Sequence, residues 1–285
     1  MTTTTVIDSP HNQYVAAARA LSTRKGRAAA GACLVEGPHA VGAVLEAAGD
    51  RVSEVFITSD LAAREPNLLR SARPATVVRV VSDRVLAALG ETVRPQGVVA
   101  VVTTPAPAVD EVLRAGTRLA VLLDRVADPG NAGTVIRTAD AAGADAVLLS
   151  AGSVDVWSAK VLRSTVGSAF HLPIVTGVAS SSAVAAARAE GVQVLSTAAD
   201  GATSLDDLID SDALATPTLW LFGNEAHGLP PELSAMATAT VRLAIYGRAE
   251  SLNVAATAAI CLYASARAQA GARPAAGRYA RAAKR

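Results

Sequence analysis

Three short stretches in the second half of the chain carry side chains whose types and spacing suit chemistry. The first is 124-DRVADPGNAGTVIRTADAAGA-144. Its Asp128-Pro129-Gly130-Asn131 is turn chemistry, with Asn131 where a helix N-cap is expected and Arg137 almost two turns further on. Arg137 is the only charge between Asp128 and Asp140, on a helix otherwise built of Ala, Val, Ile and Thr. It suits either a site that handles negative charge or a plain ion pair with an acid such as Asp140. The second stretch is 219-LWLFGNEAHGLP-230, where an apolar strand ends in Gly223-Asn224-Glu225. Polar groups just past the carboxyl end of a buried strand are where open α/β sheets place ligands, although Glu225 is equally favourable as a charge near a helix start. The third is 247-GRAESLNVAATAAICLYASAR-267, where Ser251 or Glu250 can cap a long helix whose first turn carries Leu252 and Asn253.

Other chemistries are excluded by spacing. No two of the 21 glycines are separated by one residue, so G-x-G-x-x-G does not occur, and Gly-Lys is never a pair, which removes the Walker A loop. G-x-S-x-G, H-E-x-x-H and C-x-x-C are absent, and with them the common hydrolase and zinc signatures. The four histidines are scattered, and Cys33 and Cys261 lie too far apart in sequence for a disulfide framework, so a reducing cytoplasm is the default.

The elements that must position these residues are α/β throughout. The 285 residues, 51% hydrophobic and 18% charged with 3% aromatic, predict an aliphatic core of Ala, Val and Leu, more naturally in two domains than one. In the first half a helical stretch over 13–30, broken by basic residues at 24–27, precedes strands at 32–36, 52–58, 76–81 and 97–103, with helices at 38–49, 61–72 and 83–90 between them. TPAPA at 104–108 is a stiff linker. The second half predicts strands at 118–123, 145–149, 192–196, 218–222 and 240–245 and helices at 131–142, 156–166, 181–190 and 252–267. These readings divide the chain into domains over 1–106, with 1–12 disordered, and 107–270, followed by a flexible basic tail over 271–285. The net charge of +1 hides an acidic stretch, −7 over 108–266, and a tail from Arg267 with six basic residues and no acid. Such a tail suits a polyanion partner or a solubilising end. The N-terminus has neither the basic nor the apolar region of a signal peptide, and no uninterrupted apolar stretch reaches membrane-span length.

Taken together, Asn131-Ala132-Gly133-Thr134-Val135-Ile136-Arg137, Gly223-Asn224-Glu225-Ala226-His227-Gly228-Leu229 and Ser251-Leu252-Asn253-Val254 resemble the three motifs of the SpoU/TrmH family, the RNA ribose 2′-O-methyltransferases of the SPOUT class. The resemblance covers residues 118–267 strongly. Over 27–103, where LVEGPHAVGAVLEA resembles an accessory RNA-binding domain of the ribosomal protein L30e type, it is weaker.

The resemblance implies an L30e-like α/β domain followed by a SPOUT α/β domain with a C-terminal trefoil knot. It also implies S-adenosylmethionine as methyl donor, no metal, a homodimer, and an RNA substrate, ribosomal (23S) in preference to transfer RNA. A catalytically silent RNA-binding factor on the same fold is the alternative of a different kind. Arg137 would serve the ribose 2′-hydroxyl, by holding the adjacent phosphate or stabilising the forming alkoxide, since a guanidinium rarely gives up its proton. Asn131, Glu225, Ser251 and Asn253 would shape the site around it. Main chain at Ser196, Thr197, Gly223, Leu243 and Leu252 would hold the cofactor. RNA would be met by the one tight basic cluster of the first half, Arg24, Lys25 and Arg27.

Overall fold

The computed structural model describes residues 6–90 and 94–271. The basic tail beyond 271 lies outside the described residues, as do 1–5 and 91–93. The chain divides into two compact units, one of residues up to 105 together with 155–171, the other of 106–154 and 172 onward. Both are α/β. The division differs from a single cut at the Pro-rich linker because a short segment from the middle of the second half belongs to the first unit.

In the first unit α1 (Gln13–Ala20), α2 (Arg24–Ala30), β1 (Ala32–Glu36), α3 (Pro38–Ala48), β2 (Val52–Thr58), α4 (Ser59–Arg64), β3 (Val77–Val81), α5 (Asp83–Leu89) and β4 (Val98–Thr103) follow in order. The strands form a mixed sheet ordered β1-β4-β2-β3, with β2 and β3 parallel and β4 antiparallel to both its neighbours. Val15 and Ala18 of α1 and Val85, Leu86 and Leu89 of α5 pack against Phe56, Val81 and Val99 of the sheet. The helical stretch read over 13–30 is two helices. The break falls at 21–23, ahead of the basic residues, because the Thr23 hydroxyl accepts from the Gly26 N–H at 3.0 Å and starts a new helix. Residues 6–12 are placed as well: Ile7 donates to the Val80 carbonyl and accepts from the Ser82 N–H, extending the sheet beyond β3.

The segment 155–171 completes this unit with α6 (Ala159–Thr165). Arg27 is buried, and its guanidinium meets the Asp155 carboxylate at 2.6 and 2.9 Å while donating to the Leu21 and Ser22 carbonyls. The ring of Phe170 lies 5.4 Å beneath the Arg51 guanidinium. Burial, partly opposed by Arg51 and Arg27, pushes the nearby Cys33 thiol up to about 12, so it stays a protonated core side chain at neutral pH.

The second unit is built on β5 (Leu119–Leu123), α7 (Pro129–Ala141), β6 (Ala146–Ser150), β7 (Ile174–Val178), α8 (Ser180–Ala189), β8 (Gln193–Thr197), β9 (Thr203–Ser204), α9 (Leu205–Asp210), β10 (Thr218–Phe222), α10 (Pro231–Ser234), β11 (Ala239–Arg242) and α11 (Val254–Gly271). Its seven strands are all parallel, in the order β7-β6-β5-β10-β8-β11-β9. Covered on both faces, β5, β6 and β10 are buried along their whole length, which is why they read as apolar runs without polar alternation. Trp220 is fully buried on β10, and its indole N–H donates to the Ser265 hydroxyl of α11 at 2.9 Å.

The last strand is shorter than its apolar pattern. It ends at Arg242, whose guanidinium donates to the Gly201 and Ala202 carbonyls, and residues 243–253 run on without regular structure. Residues 203–210, outside every element predicted from the sequence, form β9 and α9, with the Ser204 hydroxyl accepting from the Asp206 N–H at the helix start.

Candidate active site

The loops that leave the carboxyl ends of β5, β8, β10 and β11 bring the three sequence stretches together. Helix α7 starts two residues earlier than its sequence suggests. Asp128, not Asn131, is its N-cap, accepting from the Asn131 N–H at 2.8 Å with Pro129 in the first turn. Asn131 is thereby relieved of capping and its side chain is free for longer-range bonds. Its Nδ2 donates to a Glu225 carboxylate oxygen at 3.0 Å and its Oδ1 accepts from Asn253 Nδ2 at 3.0 Å.

Asn253 does two jobs at once. It is the cap that Ser251 and Glu250 were expected to supply: its Oδ1 accepts from the Ala255 N–H and its carbonyl from the Thr257 N–H, opening α11 at Val254. Its Nδ2 meanwhile reaches Asn131. Glu225 closes the chain from the other side, accepting the Ala127 and Asp128 N–H groups at 3.2 Å each. Burial pushes the Glu225 carboxyl up, but the bonds from Asn131 and from the Glu225, Ala127 and Asp128 N–H groups outweigh it and hold it below the usual carboxylate range.

Asn224, beside it, shapes the tight loop. Its Nδ2 donates to the Arg125 carbonyl at 2.8 Å, its Oδ1 accepts from the Ala226 and His227 N–H groups, and its backbone pairs with Gly228. Gly223 and Gly228 are required here. A Cβ on Gly223 would overlap the Gly228 carbonyl and the Leu229 nitrogen, and Gly228 holds a φ of +64°.

Beside this hydrogen-bonded chain lies a cavity of about 410 Å³. Thr197, Gly223, Leu243 and Leu252 line it, together with Glu225, Ser251 and Asn253. Glu250, Thr257 and Asn224 line it too; the last stands in the quoted Gly223-Asn224-Glu225 and had been given no role. Among the described residues two carboxylates and no cation line the cavity, so its field suits a positively charged ligand. A sulfonium cofactor fits: small residues such as Ala198, Ala199 and Gly223 stand beside the apolar Leu243, Ile245 and Leu252, and the carboxylates are of the right sign.

Three expected residues stand elsewhere. Ser196 is fully buried with its hydroxyl 3.0 Å from that of Thr240, inside the sheet and not in the cavity wall. Arg137 is exposed on α7 and makes no hydrogen bond or ion pair among the described residues, with Asp140 or with the cluster around Asn131. Arg27 is no solvent-facing cation, because Asp155 and two carbonyls take up its guanidinium; Arg24 and Lys25 remain exposed on α2. Among the described residues no group of three or more His, Cys, Asp or Glu is placed to hold a metal ion, and no helix is long and apolar enough to cross a membrane.

Residues 118–263 match the model of the SpoU rRNA methylase family, and residues 12–100 that of the MRM3-like substrate binding domain. The 23S rRNA (guanosine(2553)-2′-O)-methyltransferase RlmP of Bacillus subtilis is 37% identical over 257 residues, 90% of this chain and 97% of that protein. Among solved structures, an rRNA methyltransferase from Sinorhizobium meliloti superposes with a TM-score of 0.79 at 30% identity, over 92% of this chain and 97% of the other. The SpoU methyltransferase AviRb from Streptomyces viridochromogenes, in complex with the cofactor AdoMet, gives 0.77 at 33% identity, over 90% and 98%.

Proposed function

We propose, from the premise that the chain belongs to the SpoU rRNA methylase family, that it transfers a methyl group from S-adenosylmethionine to a ribose 2′-hydroxyl of 23S ribosomal RNA. The observation that carries the reading is the chain Glu225–Asn131–Asn253 at the edge of a cavity lined, among the described residues, by two carboxylates and no cation. The relative from Bacillus subtilis is named for a 23S guanosine and AviRb is bound to AdoMet, and both align with nearly the whole of this chain.

When bound, S-adenosylmethionine supplies an electrophilic methyl on a cationic sulfur. Thr197, Gly223, Leu243 and Leu252, which line the cavity, would hold the cofactor through main chain, and Glu225 and Glu250 would offset its charge. Asn131 and Asn253, fixed in orientation by their mutual bond and by Glu225, present a rigid polar edge against which the ribose is aligned. Methyl transfer onto the ribose oxygen would break the sulfur–methyl bond, leaving a neutral thioether, and would release the hydroxyl proton to solvent. Arg137, the exposed cation of α7, holds the neighbouring phosphate or the developing alkoxide charge.

RNA is engaged further by Arg24 and Lys25 on the first unit. A homodimer belongs to this reading. Tyr263, 72% exposed, and Ile260 leave apolar surface uncovered on α11, and Arg137, which does not line its own chain's cavity, is available to a second copy. The trefoil knot implied by the resemblance and a cytoplasmic location complete it.

The test is transfer of labelled methyl from S-adenosylmethionine to unmodified 23S rRNA and, separately, to transfer RNA, with the modified ribose mapped. A single 23S position is the expected result. Label confined to transfer RNA overturns the substrate, and binding of cofactor without transfer to any RNA overturns the activity.

A further inference from the structure

A second cavity, of about 300 Å³, lies at the carboxyl ends of β5, β6 and β7, over the other half of the sheet edge from the cofactor cavity. Arg125 links the two: it lines this cavity, and its carbonyl accepts the amide of Asn224, which lines the other. The polar edge is the Asp124 carboxylate, 5% exposed. Its Oδ1 accepts from the Ser180 hydroxyl at 2.6 Å and its Oδ2 from Arg125 Nε at 3.0 Å, and each oxygen keeps a further acceptor lone pair. Glu232 adds a second carboxylate, and Val178, Leu233 and Met236 contribute apolar wall.

This cavity shares no lining residue with the cofactor cavity. Two carboxylates against one guanidinium, itself tied to Asp124, repel a phosphate. With Arg125 offsetting Asp124, the cavity keeps one negative charge and free acceptor lone pairs, which suit a ligand that offers paired N–H donors and buries an apolar face. Among the nucleobases only guanine presents adjacent donors, N1–H and the N2 amino group, that together match a carboxylate. Adenine and cytosine set a donor beside an acceptor, and uracil offers one N–H between two carbonyls. We propose that this cavity receives a guanine base of the RNA substrate, at the reacting nucleotide or its immediate neighbour, with Asp124 and Glu232 as acceptors and Met236 against its face. The assignment rests on the reading that the chain methylates RNA.

The test uses the full chain and the four nucleoside 5′-monophosphates as probes, with saturation-transfer NMR reporting binding. GMP is expected to bind in preference to AMP, CMP and UMP, and Glu232→Gln to weaken it about tenfold, the scale of one bidentate base contact. Met236→Trp, which fills the cavity, is expected to abolish GMP binding and to raise KM for RNA while calorimetric affinity for S-adenosylmethionine stays at the parent value. GMP binding no better than UMP, or unchanged in both variants, overturns the proposal even if the parent methylates RNA normally. Failure of the parent to methylate any RNA, with selective GMP binding that Met236→Trp removes, would instead strike the activity and leave the guanine site standing.

Discussion

Asn131 donates its side-chain amide to the Glu225 carboxylate at 3.0 Å across 94 residues of sequence. It is free to do so because Asp128 has taken over the helix cap. The bond joins the first turn of α7 to the β10–α10 loop, and through Asn253 it reaches the start of α11.

Replacing Asn131 by Asp sets one carboxylate against another and removes the donor. A hydrogen bond to a charged group is worth about 1.5–3 kcal/mol, so kcat/KM is expected to fall roughly 10- to 100-fold. Asn131→Asp should be worse than Asn131→Ala, which leaves Glu225 short of a donor without adding a charge. Initial rates with labelled S-adenosylmethionine check the order, and equal rates for the two variants would refute the repulsion.

Arg137 separates binding from turnover. Since it does not line the cofactor cavity, Arg137→Ala should leave calorimetric affinity for S-adenosylmethionine unchanged. Its kcat should drop about 10²- to 10³-fold, the usual cost of one lost charge-stabilising donor. Arg137→Lys keeps the charge but not the planar fork, and should recover only part of the loss.

Acid should loosen the site in a defined window. The Glu225 carboxyl is held below its ordinary value, so its contribution is complete above the unfolded-state value of about 4.3 and disappears as pH falls through the lower folded-state value. Cofactor affinity should hold from neutrality to about that pH and weaken below it. In Glu225→Gln the affinity should be lower at neutral pH and the acid limb gone. An acid limb that persists in the variant belongs to another group.

The basic cluster on α2 splits into two roles. Arg24→Ala and Lys25→Ala should weaken RNA binding and each reduce the salt slope by about one, without changing stability. Asp155→Ala should leave Arg27 buried without its partner and lower the unfolding free energy by about 3 kcal/mol, read by urea denaturation. RNA affinity lost in Asp155→Ala at unchanged stability would reverse that division.

The strands were legible in the sequence to within a residue or two wherever both faces are buried, as at 119–123 and 218–222, since a short apolar run between turn residues has few other solutions. The three motif stretches were legible as one site through their resemblance to a family. Their internal wiring was not. Asp128 and Asn131 are equally good cap residues by type, and the choice depends on Glu225, far along the chain. Arg27 reads as one more solvated cation beside Arg24 and Lys25; only Asp155, 128 residues on, shows it to be buried. Short polar elements such as β9 and α9 carry too little hydrophobic period to be distinguished from loop.

The membership of residues 155–171 in the first unit bears on how the protein is made. A nascent chain that has emerged only as far as Pro105 holds four strands and five helices of that unit, yet Arg27 has no carboxylate to meet and α6 has not been synthesised. The first unit reaches its final packing only after β5, α7 and β6 of the second have left the ribosome. A gene cut at the Pro-rich linker would thus encode an unfinished module, and swapping substrate-binding units between relatives requires two separate exchanges, of the N-terminal stretch and of the 17-residue insert that completes it.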